Sequence, residues 1–185
     1  MAIIARITAV LNAEGGANMD DDRGMEVLAF IEIPRGSRNK YEVDHTTGRL
    51  RLDRVLYSSV HYPTDYGFII DTLGEDGDPL DILVLVQEPT FPGCLVPARP
   101  VGGLDMHDEK GSDFKVLAVP LGDPRYAHVK KFSDLGEHWP SEIETFFATY
   151  KLLERKTTDV QGWHGVNEAW RVIQECQERY KASSH

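Results

Sequence analysis

Three carboxylates fall within six residues of one segment, Asp76, Asp78 and Asp81 in DGDPLD. Gly77 permits a tight turn, Pro79 stiffens it, and the apolar run ILVLV that follows anchors the loop at the mouth of a buried strand. Carboxylates this close repel one another, which raises their pKa values and costs stability unless cations neutralise them. An all-oxygen set selects hard ions, Mg²⁺ or Mn²⁺ over Zn²⁺. An EF-hand is excluded, because its loop needs glycine at the sixth position, where this segment has Asp81. Taken alone, the segment also fits an Asp-rich surface turn.

A second acidic group, Asp108 and Asp113, brackets the polar stretch MHDEKGSDFK. If 105–113 closes a hairpin, the two can face each other across its neck, with Asp113 and Lys115 alternating onto one side of the outgoing strand. Acid and base so placed suit a metal–phosphate site, although charged hairpin tips are ordinary. Lys40 and Glu42 share one face of a strand, and Arg54 stands where the alternation of Leu50 and Leu52 calls for an apolar residue. A charge on an inward face needs a partner. The simple register puts Lys40 and Arg54 on opposite faces, so a bulge or barrel twist is required before both reach one ligand. In ATYKLLE, Tyr150 lies on an apolar helical stripe beside Lys151, and HYPTDYGFI packs Tyr62 and Tyr66 around a proline turn.

The elements that must hold these groups are strands first and helices last. MEVLAFIEIP alternates from Met25, and NKYEVD (39–44) and RLRLDR (49–54) flank HTTG as a hairpin. Pairing 43 with 50 and 41 with 52 gives Tyr41, Val43, Leu50 and Leu52 one apolar face. DILVLV (81–86) reads as a buried strand, and CLVPARPVG (94–102) and FKVLAVP (114–120) as a second hairpin. After Pro140, Ile143, Phe146, Phe147, Tyr150 and Leu153 recur at helical spacing; after Gly165, Ala169, Trp170, Ile173, Cys176 and Tyr180 do the same. The order predicts a strand-rich α+β domain, a small barrel with C-terminal helices packed on it. Residues 1–24 show no sustained period. They read as an extension, disordered or a mis-assigned start, ahead of one domain over 25–185.

With 30 acidic against 20 basic side chains the formal charge is −10, which repels a phosphodiester backbone and argues against nucleic acid. Cys94 and Cys176 form no C-x-x-C pair and fit reduced, half-buried or buried thiols. No apolar run approaches the ~18 residues of a membrane span, and the N-terminus is too weak for a secretory signal, so the expected location is the cytoplasm.

Read together, EIPRGSRNKYEVD, LDR, YPTDYGF, DGDPLDI, the DE…D-x-K loop and FFATYK, all in order, resemble the family I soluble inorganic pyrophosphatases of the short bacterial type. The resemblance implies a five-stranded barrel of OB type with flanking helices, and Mg²⁺-dependent hydrolysis of pyrophosphate to two orthophosphates. By the same resemblance Asp76, Asp81 and Asp113 would hold a tight metal site, and Asp81 would touch a second ion sharing the attacking water or hydroxide. Asp108 and Asp113 would hold a third ion arriving with substrate, and Glu32 and Glu42 an outer one. Lys40, Arg54, Tyr66, Lys115, Tyr150 and Lys151 would bind phosphoryl oxygens. Asp78 would be the general base, with Asp113 ranked second. About three to four Mg²⁺ per site are implied, with Mn²⁺ as a substitute, and a homo-oligomer, commonly a hexamer.

A charge count agrees. Seven carboxylates (32, 42, 76, 78, 81, 108, 113) against four cations (40, 54, 115, 151) leave −3 before an anionic substrate is added. Burying pyrophosphate there would take the site to about −7, at several kcal/mol per uncompensated ion, so metal is required. Two other readings remain open. A non-catalytic OB-type module for nucleic acid or a phosphorylated ligand would need a basic groove with stacking aromatics. A metal-dependent nucleotide or polyphosphate hydrolase is separated only by comparing substrates.

Overall fold

The computed structural model describes residues 25–44, 46–108 and 111–183, and of Asp108 the backbone alone. The expectations for residues 1–24 therefore lie outside the described residues.

Alternation drives the first strand. In β1 (Val27–Ile33) Val27, Ala29, Ile31 and Ile33 are buried while the residues between them are half-buried, so Glu32 points away from the apolar face. The hairpin strands follow as β2 (Asn39–Asp44) and β3 (Arg49–Val55), with Val43 opposite Leu50 and Tyr41 opposite Leu52, as the sequence pattern predicts. Their shared apolar face is not core, since Leu52 is half exposed.

HYPTDYGFI, read from sequence as an aromatic turn, contains β4 (Asp65–Ile69). Gly67 is obligatory there: a Cβ would lie 1.8 Å from the Phe30 carbonyl oxygen, where β4 crosses β1 beside a register shift. The DILV run forms β5 (Asp81–Val84). After Asp81 it is apolar because both faces are covered: Ile82 and Val84 join one core cluster, Leu83 and Leu85 the other.

The second hairpin is longer than expected. β6 (Leu95–Asp108) runs straight through what sequence suggests is a polar loop, pairs through its tip with β7 (Gly111–Ser112), and returns as β8 (Lys115–Pro120). Asp108 therefore lies opposite Gly111, and the Asp113 N–H donates to the Met106 carbonyl, so the two aspartates are not facing partners across a neck. The physical reason is the edge strand that extends β6.

Among the described residues β1, β4, β5, β8 and β6 close a ring: β1 pairs with both β4 and β6, every contact is antiparallel except β5 with β8, and the result is the expected OB-like barrel. α1 (His138–Thr149) buries Ile143, Phe146 and Phe147 against Tyr62 and Leu83. It stops before Leu153, which sits on a 3₁₀ turn and is 61% exposed; the backbone of Arg155 takes φ 58 and redirects the chain. β9 (Asp159–His164), unforeseen, is the edge strand on β6. α2 (Val166–Ser183) buries Ala169, Ile173 and Cys176 on one stripe, Ile173 and Cys176 in the cluster that holds Ile82 and Val84, as its periodicity predicts. Both cysteines are free, as expected.

Candidate active site

The acidic loop is cinched at its ends before it carries any chemistry. The buried Thr72 hydroxyl donates to the Ile69 carbonyl at 2.6 Å and accepts the Leu80 N–H at 3.0 Å. Within the loop the Gly74 N–H donates to the Asp78 carbonyl, the Asp78 N–H donates to Asp76 Oδ1, and Gly77 turns the chain at φ +89. Asp76 and Asp78 are consequently displayed at the surface, while Asp81 is fixed as the first residue of β5.

Asp81 meets the second acidic group through a lysine. Lys115 is 2% exposed; its Nζ donates to Asp81 Oδ2 at 2.7 Å, to Asp113 Oδ1 at 2.9 Å and to the Tyr66 hydroxyl at 3.2 Å. It also stands 5.4 Å and 5.2 Å from the ring centres of Tyr66 and Phe147. Burial works against this charge, but Asp81 and Asp113 outweigh it and hold the ammonium well above its ordinary pKa. Tyr66 donates its hydroxyl to Asp81 Oδ2 at 2.5 Å; burial and then the Asp81 charge push its ionisation far up, so it stays a donor.

On the other wall the bulge required by the simple register is present. Lys40 pairs with Arg54 and Tyr41 with Leu52, which leaves Asp53 as the extra residue. Asp53 Oδ2 lies 2.6 Å from Arg54 Nη1 and 3.6 Å from Lys40 Nζ, and Lys40 is also ion-paired to Glu42. Arg54 Nε donates to Glu154 Oε1 at 3.0 Å; burial opposes the guanidinium charge, and the bonds to Glu154 and Asp53 raise its pKa regardless. Glu32 Oε1 accepts the Val43 N–H at 2.8 Å, which ties the hairpin to β1. Burial lifts the Glu32 pKa to about 7, the Val43 bond partly resists, and the Asp81 and Glu42 charges push the same way as burial.

These walls enclose one cleft of about 910 Å³. Glu32, Lys40, Glu42 and Arg54 line it from β1 and the hairpin; Tyr66, Asp76, Asp78 and Asp81 from β4, the acidic loop and β5. Asp113 and Lys115 enter from the β8 side, and Tyr150 and Lys151 from the end of α1. Tyr150 is packed on Phe146 with Lys151 Nζ 5.4 Å over its ring. The side chain of Asp108 lies outside the described residues. Sequence reasoning missed Asp53 and Glu154, which do not line the cleft themselves but hold the guanidinium of Arg54, which does. LDR displays Asp53, but nothing in its spacing marks it as a bulge residue, and Glu154 follows Arg54 by 100 positions.

Among the described residues no three His, Cys, Asp or Glu side chains form a closed metal shell; Asp81 and Asp113 close on the Lys115 ammonium instead. The donors nonetheless fit hard divalent cations. The expected ligands are all carboxylate oxygens, and one of them, Glu32, is half-buried near the like charges of Asp81 and Glu42 that a cation would relieve.

The family model described as inorganic pyrophosphatase matches residues 29–181. The chain belongs to the inorganic pyrophosphatase family. It is 53% identical over 155 residues to the inorganic pyrophosphatase of Synechocystis sp., covering 84% of this chain and 92% of that one. To the enzyme of Streptomyces coelicolor it is 53% identical over 158 residues, 85% of this chain and 97% of the relative. The crystal structure of inorganic pyrophosphatase from Thermus thermophilus superposes with a TM-score of 0.84 at 46% identity, covering 90% of this chain and 97% of that one. The matched span of this pyrophosphatase holds every site residue named from sequence, Glu32 to Lys151.

Proposed function

We propose that this pyrophosphatase hydrolyses inorganic pyrophosphate to two orthophosphates at the cleft described above, with Mg²⁺ as its ordinary cation and Mn²⁺ as a substitute. The observation that carries the reading is the Lys115 cluster, a buried ammonium locked between Asp81 and Asp113 beside the Tyr66 donor. Fixed cations beside displayed carboxylates suit a substrate that is itself a polyanion needing cations. Bound divalent ions, about three to four with substrate, would neutralise its charge and polarise its phosphoryl oxygens. Asp76, Asp81, Asp113, Asp108, Glu32 and Glu42 are the carboxylates to hold them.

The chain's own side chains supply the rest. Lys40, Arg54, Lys115 and Lys151 offer positive charge to phosphoryl oxygens, and Tyr66 and Tyr150 offer hydroxyl donors, so negative charge growing on the leaving phosphate meets preorganised groups. Asp78 stands on the displayed part of the loop and takes the proton of the attacking water, with Asp113 the second choice. The catalytic unit is residues 25–185, working as a cytoplasmic homo-oligomer, a hexamer. The exposed Leu52, Val55, Tyr57, Leu152 and Leu153 support such contacts, and no helix among the described residues is long and apolar enough to cross a membrane.

Phosphate release from pyrophosphate and from ATP, each with Mg²⁺ and with EDTA, tests this. Turnover of pyrophosphate with Mg²⁺, arrested by EDTA and far above that of ATP, is expected. Full activity in chelator, or faster release from ATP, would overturn it.

A further inference from the structure

The β2–β3 hairpin is a two-stranded sheet of its own, outside the five-strand ring, yet it brings Lys40, Glu42 and Arg54 to the cleft. Main-chain pairing therefore cannot fix where Arg54 points. Its guanidinium makes two side-chain bonds, Nη1 to Asp53 and Nε to Glu154. Asp53 is a neighbour on the same strand and moves with it. Glu154 belongs to a different part of the fold.

Glu154 ends the 3₁₀ turn Leu152–Glu154, directly after Tyr150 and Lys151. The turn is held by its own backbone: the Glu154 and Lys156 N–H groups both donate to the Lys151 carbonyl, and the Arg155 N–H donates to that of Leu152. The Glu154 side chain is 7% exposed against 24% for Arg54, so the carboxylate is a buried anchor and the arginine reaches to it. A buried carboxylate needs a charged partner. The bonds occupy Nε and Nη1, which fixes the plane of the guanidinium, and Nη2 is the nitrogen that neither uses.

We propose that Glu154 is a positioning residue for the reaction: it aims the Arg54 guanidinium at the substrate phosphoryl oxygens, and by doing so registers the whole hairpin wall against the Tyr150–Lys151 wall. The proposal rests on the reading of Arg54 as a phosphoryl-binding residue. It gives the early end of α1 a purpose, because a helix continued through Leu153 would not have formed the turn that presents Glu154.

The test is a double-variant cycle on the full chain, with pyrophosphate as substrate at saturating Mg²⁺. Glu154→Ala should lower kcat/KM by roughly tenfold, a typical coupling for directly bonded side chains. The Mg²⁺ concentration for half-activation should move little, since the bond touches Arg54 directly and the strand of Glu42 stays tied to β1 through the Val43 N–H and Glu32. Glu154→Gln keeps an acceptor for Nε and should stay within about threefold of the parent, which serves if the alanine variant folds poorly. With Arg54→Ala already present, Glu154→Ala should add less than about a twofold loss. An Arg54→Ala protein with unchanged kcat/KM would overturn the reading of Arg54, and the proposal with it. If Arg54→Ala is impaired, an unimpaired Glu154→Ala, or a loss that persists in full in the double variant, would overturn the positioning role alone. A Glu154→Gln loss as deep as that of alanine, or a shifted Mg²⁺ midpoint, would also count against it.

Discussion

The two walls of the cleft are built by different means. On the barrel wall Asp81, Tyr66 and Lys115 stand on β5, β4 and β8, three strands of one closed ring, so their meeting is a consequence of ladder register: Tyr66 opposite Leu83, Leu83 opposite Leu117. On the hairpin wall Lys40, Glu42 and Arg54 stand on a sheet that the ring does not pair with; main-chain bonds between Gly36, Ser37 and Tyr62 seat its base, and two side-chain contacts, Glu32 to the Val43 N–H and Arg54 to Glu154, tie its strands to the rest of the fold. A ladder spreads its strain over many bonds. A single side-chain tie carries the geometry by itself, so the barrel wall should be robust in placement and sensitive in chemistry, and the hairpin wall the reverse.

The largest effect should come from chemistry on the barrel wall. Asp78→Asn should lower kcat by roughly 10²–10⁴, the usual span for a positioned acid or base, with Mg²⁺ affinity little changed. Asp81→Asn should instead shift the Mg²⁺ dependence to higher concentration, because Asp81 is expected to hold two ions. Both should fold, since an amide nearly matches a carboxylate in size and the β4–β5 ladder remains. Calorimetric metal titration beside steady-state rates separates the roles; equal loss of metal binding would make Asp78 a ligand and pass the base to Asp113.

Legibility from sequence divides along the same line. The apolar alternation of the hairpin gives its register, Val43 to Leu50, because period-two burial admits one pairing. DILVLV announces β5, and Ala169, Ile173 and Cys176 announce α2. Every described side chain that the family motifs single out, from Glu32 to Lys151, lines one cleft. What escapes is placed by tertiary contact. The register calls for a bulge or twist between Lys40 and Arg54, but nothing in the spacing says that Asp53 is the extra residue. DVQGWH lacks a regular apolar alternation to advertise β9, and pairs along the β6 edge. The stripe through Leu153 looks helical, but the chain turns away at Arg155.

The second effect concerns the hairpin tie at Glu32. Its pKa in the fold is about 7 against an ordinary 4.5, so the fold favours the protonated form. The sign follows: this group's contribution to stability is complete below about pH 4.5 and is lost as pH rises through about 7. In EDTA, Glu32→Gln keeps an acceptor for the Val43 N–H but cannot ionise. Relative to the parent it should be stabilised by roughly 3 kcal/mol at pH 8 in urea unfolding and by nearly nothing at pH 4. A pH-independent difference would mean that the carboxylate is not held near neutral. With Mg²⁺ the advantage at pH 8 should shrink or reverse, as the parent gains a cation that the amide holds poorly.

The smallest effect tests how firmly the acidic loop itself is seated. Beyond Thr72, its entry segment is gripped by α2: the Leu73 N–H donates to the Cys176 carbonyl at 3.0 Å, and Arg179 Nη1 donates to the Leu73 carbonyl at 2.6 Å. Arg179 also stands 3.6 Å from Glu75, but that carboxylate is 88% exposed and the pair is worth little in water. Arg179→Ala therefore removes one charge-assisted bond to a carbonyl and leaves the backbone bond at Leu73 in place. The loop should sample more positions without detaching. Because Asp76 and Asp81 lie at and beyond its tip, the cost should fall on cation binding, with the Mg²⁺ concentration for half-activity rising by about three- to tenfold, the equivalent of one such bond partly screened. At saturating Mg²⁺ the parent kcat should return, since cations then restore the arrangement that α2 otherwise favours. Arg179→Lys, which can still reach a carbonyl, should fall between the two. A lowered kcat with an unmoved midpoint would mean that α2 supports the barrel generally and does not seat the loop, and the barrel wall would then owe its order to the ladder and Thr72 alone.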